Sequence, residues 1–232
     1  SYKKTIFIAI FLFCAGLLLG LLVPTNIIGV LPETVPQIEG LGGLLAPFHI
    51  ITCVLIFLKN TSALLVSFFL SPILCLIPVF ALVLNGWILG LVSAEVAQET
   101  SWGLVLAGIL PHGIFELPAL ILGEAAAFSF GAAVIAALFK PERRNRLGQA
   151  LARNLRRLLL AFILLIPAAV IETYITPLLL ATDFKKNGRL PGELKEEGSS
   201  ERPIKTHCNT LIRGSSFKRL TSWVAFLLFE FT

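Results

Sequence analysis

An all-α, membrane-spanning helical bundle is the fold class this sequence predicts, and three observations predict it. Of its 232 residues, 56% are hydrophobic and only 14% are charged, whereas a soluble domain carries about a quarter charged residues to dress its surface. The apolar residues are gathered into long runs, and a helix crossing a bilayer takes roughly 20 such residues. Between the runs the charged residues segregate by sign, as they do when loops lie on opposite sides of a membrane. Length and composition together leave room for about five or six spans, some of them Pro- or Gly-broken or re-entrant. They form one transmembrane domain over residues 1–181, followed by a polar, flexible tail over 182–232. A freely soluble enzyme is excluded by this composition.

The elements follow in order. Lys3 and Lys4 precede an apolar run over residues 5–23, longer than the apolar part of a signal peptide and lacking a clear small-x-small cleavage site, so it reads as an uncleaved first span. Residues 24–43 are rich in Pro and Gly and carry Glu33 and Glu39 without Lys or Arg, which marks a loop outside the cytoplasm. A short second run over 44–58 ends at Lys59 and Asn60. Residues 61–96 are apolar almost throughout, interrupted by Pro72, Pro78 and Asn85-Gly86. After an acidic linker with Glu95 and Glu99, residues 102–139 form another long apolar stretch, containing Pro111 and Pro118. Residues 140–157 hold seven Lys or Arg against the single acid Glu142, and the positive-inside rule places them in the cytoplasm. The last clear span covers 158–181.

Charge parity then constrains the two long stretches. With Lys3-Lys4, Lys59 and the 140–157 segment inside and the Glu33 and Glu99 loops outside, each long stretch crosses an odd number of times. About 36 residues cannot cross three times, so each is expected to be one crossing plus a broken, re-entrant or surface-lying piece. Such backbone is tolerated at membrane depth only where protein or water satisfies it. Five crossings put the tail outside despite its nine Lys and Arg. Its apolar end, 223–231, is too short to span and suits a surface-lying segment.

Ionisable groups at membrane depth cost roughly 2.5–3.5 kcal/mol each and tend to be paired and turned inward. His112, Glu116, Glu124 and Glu172 are of this kind. His112 and Glu116 are four apart and share a helix face, and Glu124 lies about 80° around from Glu116 on the same helix. Three readings are open for this His and carboxylate cluster: a hydrogen-bonded clasp, a site for a proton or a divalent metal such as zinc, or hydrolytic catalysis. The last is disfavoured by the lack of a His-Glu-x-x-His pair or a Gly-x-Ser-x-Gly turn. His49 is a further ligand on the second reading and a hydrogen-bonded helix residue on the first. Asn60 and Asn85 are placed at span edges, capping freed backbone groups. Cys14, Cys53 and Cys75 lie inside apolar runs and Cys208 in the tail, without Cys-x-x-Cys spacing, so they read as core or lipid-facing thiols.

Gly16-x-x-x-Gly20 and Gly86-x-x-x-Gly90 allow close helix approach, within the bundle or between subunits. In the basic segment Leu147, Leu151, Leu155 and Leu158 recur at helical spacing, with Arg143, Arg144, Arg146, Arg153, Arg156 and Arg157 on other positions and Pro141 at a helix start. This predicts an amphipathic helix on the cytoplasmic leaflet, drawn to anionic lipid and not to nucleic acid.

Asn60, Asn85-Gly86-x-x-x-Gly90, the run from Leu110 through Pro111-His112-Gly113-Ile114-Phe115-Glu116-Leu117-Pro118, and Ile171-Glu172-Thr173-Tyr174-Ile175-Thr176-Pro177 resemble the stage II sporulation protein M family, over about residues 60–181. His-Gly-x-x-Glu-Leu-Pro is the most specific element. In spore-forming bacteria the resemblance implies a membrane partner that helps localise peptidoglycan-degrading proteins during engulfment. The resulting expectation is a multi-pass cell-membrane protein, non-enzymatic, homo-oligomeric, and acting as a scaffold for membrane or envelope partners. The rival from another class is a transporter or channel using the His and Glu cluster for a cation or proton.

Overall fold

The computed structural model describes residues 2–23, 48–73, 75–99 and 101–179. Among the described residues there is no strand. Five helical stretches are long and apolar enough to cross a membrane, in line with the five or six predicted. They are α1 (Tyr2–Leu22), α2 (Ile50–Leu70), α3 (Ile77–Glu99), α4 (Trp102–Phe139) and α5 (Leu147–Val170). A 3-10 turn at Pro141–Arg146 precedes α5 and a π-helical turn at Ile171–Ile175 prolongs it. The Glu33 loop and the tail after residue 181 lie outside the described residues.

Where helices begin and end differs from the sequence reading in four places. Lys59 and Asn60 do not end a span; they sit in the middle of α2, because their polar groups are met by side chains of other helices and need no interface. The stretch 61–96 is accordingly no crossing with a re-entrant piece. It is the second half of α2, turn residues at 71–73 and 75–76, and α3, with Asn85 inside α3 donating to the Ala81 carbonyl at 2.7 Å. Residues 102–139 form one unbroken helix through Pro111 and Pro118, which lipid-embedded helices tolerate when neighbours re-satisfy the freed carbonyls. Lastly, residues 140–157 make no separate surface helix. Pro141 opens the 3-10 turn, and the arginines that follow decorate it and the first turns of α5. The face of α5 turned to the bundle is Ala150, Asn154, Leu158, Ala161 and Leu165, while Leu151 and Leu155 are exposed.

The glycine spacings explain how α1 meets α3. A Cβ on Gly16 or Gly20 would collide with the carbonyls of Val83 and Trp87, and one on Gly86 or Gly90 with those of Phe13 and Leu17. Both sets of partners advance together by four residues, so the helices run parallel with Gly16 level with Gly86 and Gly20 with Gly90. Only glycine lets the backbones approach this closely. The Gly86-x-x-x-Gly90 face is therefore consumed inside the chain and is not free to join subunits.

A second core unites α2, α4 and α5 through Leu64, Phe68, Ala119, Ala127, Leu158, Ala161 and Leu165. Small residues on α4 permit this too: a Cβ on Gly123 would press on Leu64, and one on Gly131 on the carbonyl of Ser71. Alpha-helix α4, 38 residues long, measures about 57 Å at 1.5 Å per residue, against roughly 30 Å of bilayer hydrocarbon. Gly131 is level with the end of α2, so the last turns of α4 and the first of α5 overhang the rest of the bundle by about 12 Å.

Candidate functional site

Midway along the bundle, three helices turn polar side chains toward one another. From α2, the Asn60 amide donates to Glu116 Oε1 of α4 at 3.1 Å. One turn back on α4, His112 Nε2 lies 3.8 Å from Glu116 Oε2, with the two side chains 17% and 29% exposed. His112 Nδ1 in turn faces Thr176 Oγ1 at 3.5 Å, just beyond the π turn. Lys59 interacts electrostatically with both Glu116 and Glu172, and the two carboxylates repel each other across the same space.

Local sequence accounts for the placement of each group. The spacing of four puts His112 and Glu116 on one face of α4. Pro167, which has no N–H, removes one bond from the α5 ladder, and the wider turn follows at Ile171–Ile175. An inserted residue shifts the phase of the side chains that follow by about 100°, and Thr176 there faces His112. Hydroxyls fill backbone acceptors around it: Thr173 Oγ1 donates to the Ala169 carbonyl at 2.8 Å and Thr176 Oγ1 reaches that of Ile171 at 3.4 Å. The N-terminus of α2 is tied to the same turn, with the Phe48 N–H donating to the Thr173 carbonyl at 3.3 Å.

Glu124 does not join this group. Eight residues beyond Glu116 on α4, it is about 12 Å further along the axis, too far for the shared cluster that helix phase alone suggested. It is buried and accepts a 2.5 Å hydrogen bond from Ser67 of α2. Beside it, Thr5, Ala9, Leu12, Pro78 and Leu82 help to line a cavity of about 10 Å³, space for roughly one water molecule. His49 is exposed at the N-cap of α2.

Sequence reasoning missed Lys59, Thr176 and Ser67. The signal for Lys59 was the shortness of the run before it: 15 apolar residues cannot span, and continuing through Lys59 to Leu70 gives the 21 of α2, which obliges the bundle to supply a carboxylate. Chemically, the cluster with Lys59 protonated and both carboxylates ionised sums to −1, and one further proton closes it to zero. Among the described residues no group of three or more His, Cys, Asp or Glu is arranged to hold a metal ion.

The class these features define is a polytopic helical bundle closed at one side by a glycine crossing and at the other by an intramembrane clasp of Lys, Glu, His and Asn. The family profile described as stage II sporulation protein M matches residues 9–177, and the chain belongs to that family. The match begins well before the residues that carried the resemblance and takes in most of α1, with its glycines. The chain is also similar to the uncharacterized protein MJ0793 of Methanocaldococcus jannaschii, 32% identical over 97 residues, which are 41% of this chain and 54% of that protein. It thus spans about half the length of that relative. No solved structure matches the chain.

Proposed function

We propose that this protein is a multi-pass, non-enzymatic component of the cell membrane that serves as a scaffold for partner membrane or envelope proteins, with its basic end in the cytoplasm. The observation that carries this reading is the closure of the polar cluster: Asn60, Glu116, His112 and Thr176 form a chain of contacts across three helices, with Lys59 set against both carboxylates. Groups used up in holding helices together suit a rigid platform. Surfaces other than the α1 and α3 glycine face are left for partners or for further copies of the chain.

Two measurements test it. Reconstituted in vesicles loaded with a pH-sensitive dye, the protein should pass no more protons or potassium than empty vesicles, and a flux abolished by Glu116→Gln would replace the scaffold with a transporter. On mildly solubilised native membranes, native electrophoresis should show the protein in an assembly well above its 25.2 kDa; migration as the bare chain would sink the scaffold. For orientation, a cysteine at position 146, in a background without native cysteines, should resist impermeant reagents applied outside intact cells.

A further inference from the structure

We infer that the N-terminus of α1 and the start of α5 together form one binding collar for anionic phospholipid headgroups. The sequence separates Lys3-Lys4 from the arginines of 140–157 by more than half the chain; the fold brings them to the same end. Tyr2 is the link. Its hydroxyl donates to the Leu122 carbonyl at 3.1 Å, and the Arg157 guanidinium stacks over its ring at 3.4 Å, a cation–π contact. Arg157 is held there by a 2.9 Å bond from its guanidinium to Asn154 Oδ1 and is half-buried, unlike the exposed arginines of the basic segment.

The other cations are left outward. Lys3, Lys4, Arg143, Arg146, Arg153 and Arg156 are exposed, and the side chain of none of them is hydrogen-bonded or ion-paired to another described residue. Arg144 only touches the Ala137 carbonyl, at 3.5 Å. What covers them follows from continuity. On α5 the exposed ridge Leu155, Leu159, Ile163, Ile166 and Val170 runs at spacings of three and four up to Arg153 and Arg156 without a polar gap. An apolar ridge about 24 Å long faces acyl chains, and cations at its end meet phosphates, with their aliphatic stems along the hydrocarbon. Leu138 and Phe139, at the end of α4 just before the arginine-bearing 3-10 turn, are 65% and 82% exposed. Phosphodiester anions complement a surface with one acid, Glu142, among these cations.

The test uses the intact chain in detergent, titrated with phosphatidylglycerol or phosphatidylcholine and read by native mass spectrometry, with thermal midpoints in nanodiscs of the same lipids. Phosphatidylglycerol should be retained in preference and should raise the midpoint. At about fivefold per basic residue near an anionic surface, R153Q/R156Q should lower that preference about tenfold or more, whereas R153K/R156K should keep it and shows that the fold survives substitution. Tyr2→Leu keeps every cation but unlinks the two segments, and should reduce the preference as well. Equal retention of the two lipids, or a preference that survives R153Q/R156Q, overturns the proposal. Preference lost in R153Q/R156Q but unchanged in Tyr2→Leu would overturn the composite collar and leave α5 alone.

Discussion

The two sides of this bundle hold helices together by opposite means. Where α1 crosses α3, four glycines bring backbone against backbone, flanked by the apolar side chains of Ala9, Phe13 and Leu82. Where α2, α4 and α5 meet, side chains carrying charge or hydrogen bonds reach across several ångströms of space. In lipid, apolar surface gains nothing by leaving its solvent, so association rests on close packing or on polar groups that have nowhere else to go. The first device is intolerant of any added atom. The second tolerates change of shape but not loss of a partner.

The comparison is broken most severely by Gly86→Leu. Its side chain would have to occupy the place of the Phe13 carbonyl, and backbone cannot move aside as a side chain can. We expect a loss of about 3 kcal/mol or more, measured by detergent-induced unfolding. A variant as stable as the wild type would show that α1 is not packed there.

Glu116→Leu comes next, at about 2 kcal/mol. Removing one member of a buried pair costs about 3–5 kcal/mol, reduced here because the Glu116 side chain is 29% exposed. Glu116→Gln keeps an acceptor for Asn60 and should cost about 1 kcal/mol. If Gln is as harmful as Leu, charge and not hydrogen bonding holds the clasp.

Double-mutant cycles sharpen the same side. Asn60→Ala with Glu116→Leu should show a coupling of about 1 kcal/mol, and His112→Ala with Glu116→Leu only a few tenths, since the first contact is 3.1 Å and the second 3.8 Å. The reverse order in thermal unfolding would mean that imidazole is the principal partner. Glu124→Gln retains an oxygen to accept from Ser67 and should change stability by less than about 1 kcal/mol. A large loss there would show that the carboxyl does more than fill its hydrogen bond.

The two sides also differ in how legible they were in the sequence. The glycine crossing is written twice as a spacing of four, so its existence was readable although its partners were not; which helix meets which depends on the path of the chain between them. The clasp was half readable. His112 and Glu116 announce themselves by local spacing, and Glu172 by standing alone among apolar residues. Lys59 did not, because a lysine beside an asparagine reads equally as the end of a span, and only carboxylates contributed by other helices make it an interior residue. Glu124 was misplaced for the converse reason. Angle around a helix comes directly from residue number, but depth relative to other helices depends on how they are staggered. The basic segment was readable in charge and wrong in form, since an arginine-rich start and an apolar continuation belong to one helix.

The parallel course of α1 and α3 has a consequence for the order of biogenesis. Neighbours joined by a tight turn are antiparallel and can pair as soon as both emerge; parallel ones cannot. Gly16 and Gly20 must wait until α2 has passed back and Gly86 and Gly90 have followed, some 70 residues later in synthesis. During that interval α1 stands in the membrane with its glycine face unmatched, open to any assisting helix of the insertion machinery. Ribosome-bound chains stalled before and after residue 90 should differ in crosslinking from position 16, to such a helper in the first case and to α3 in the second.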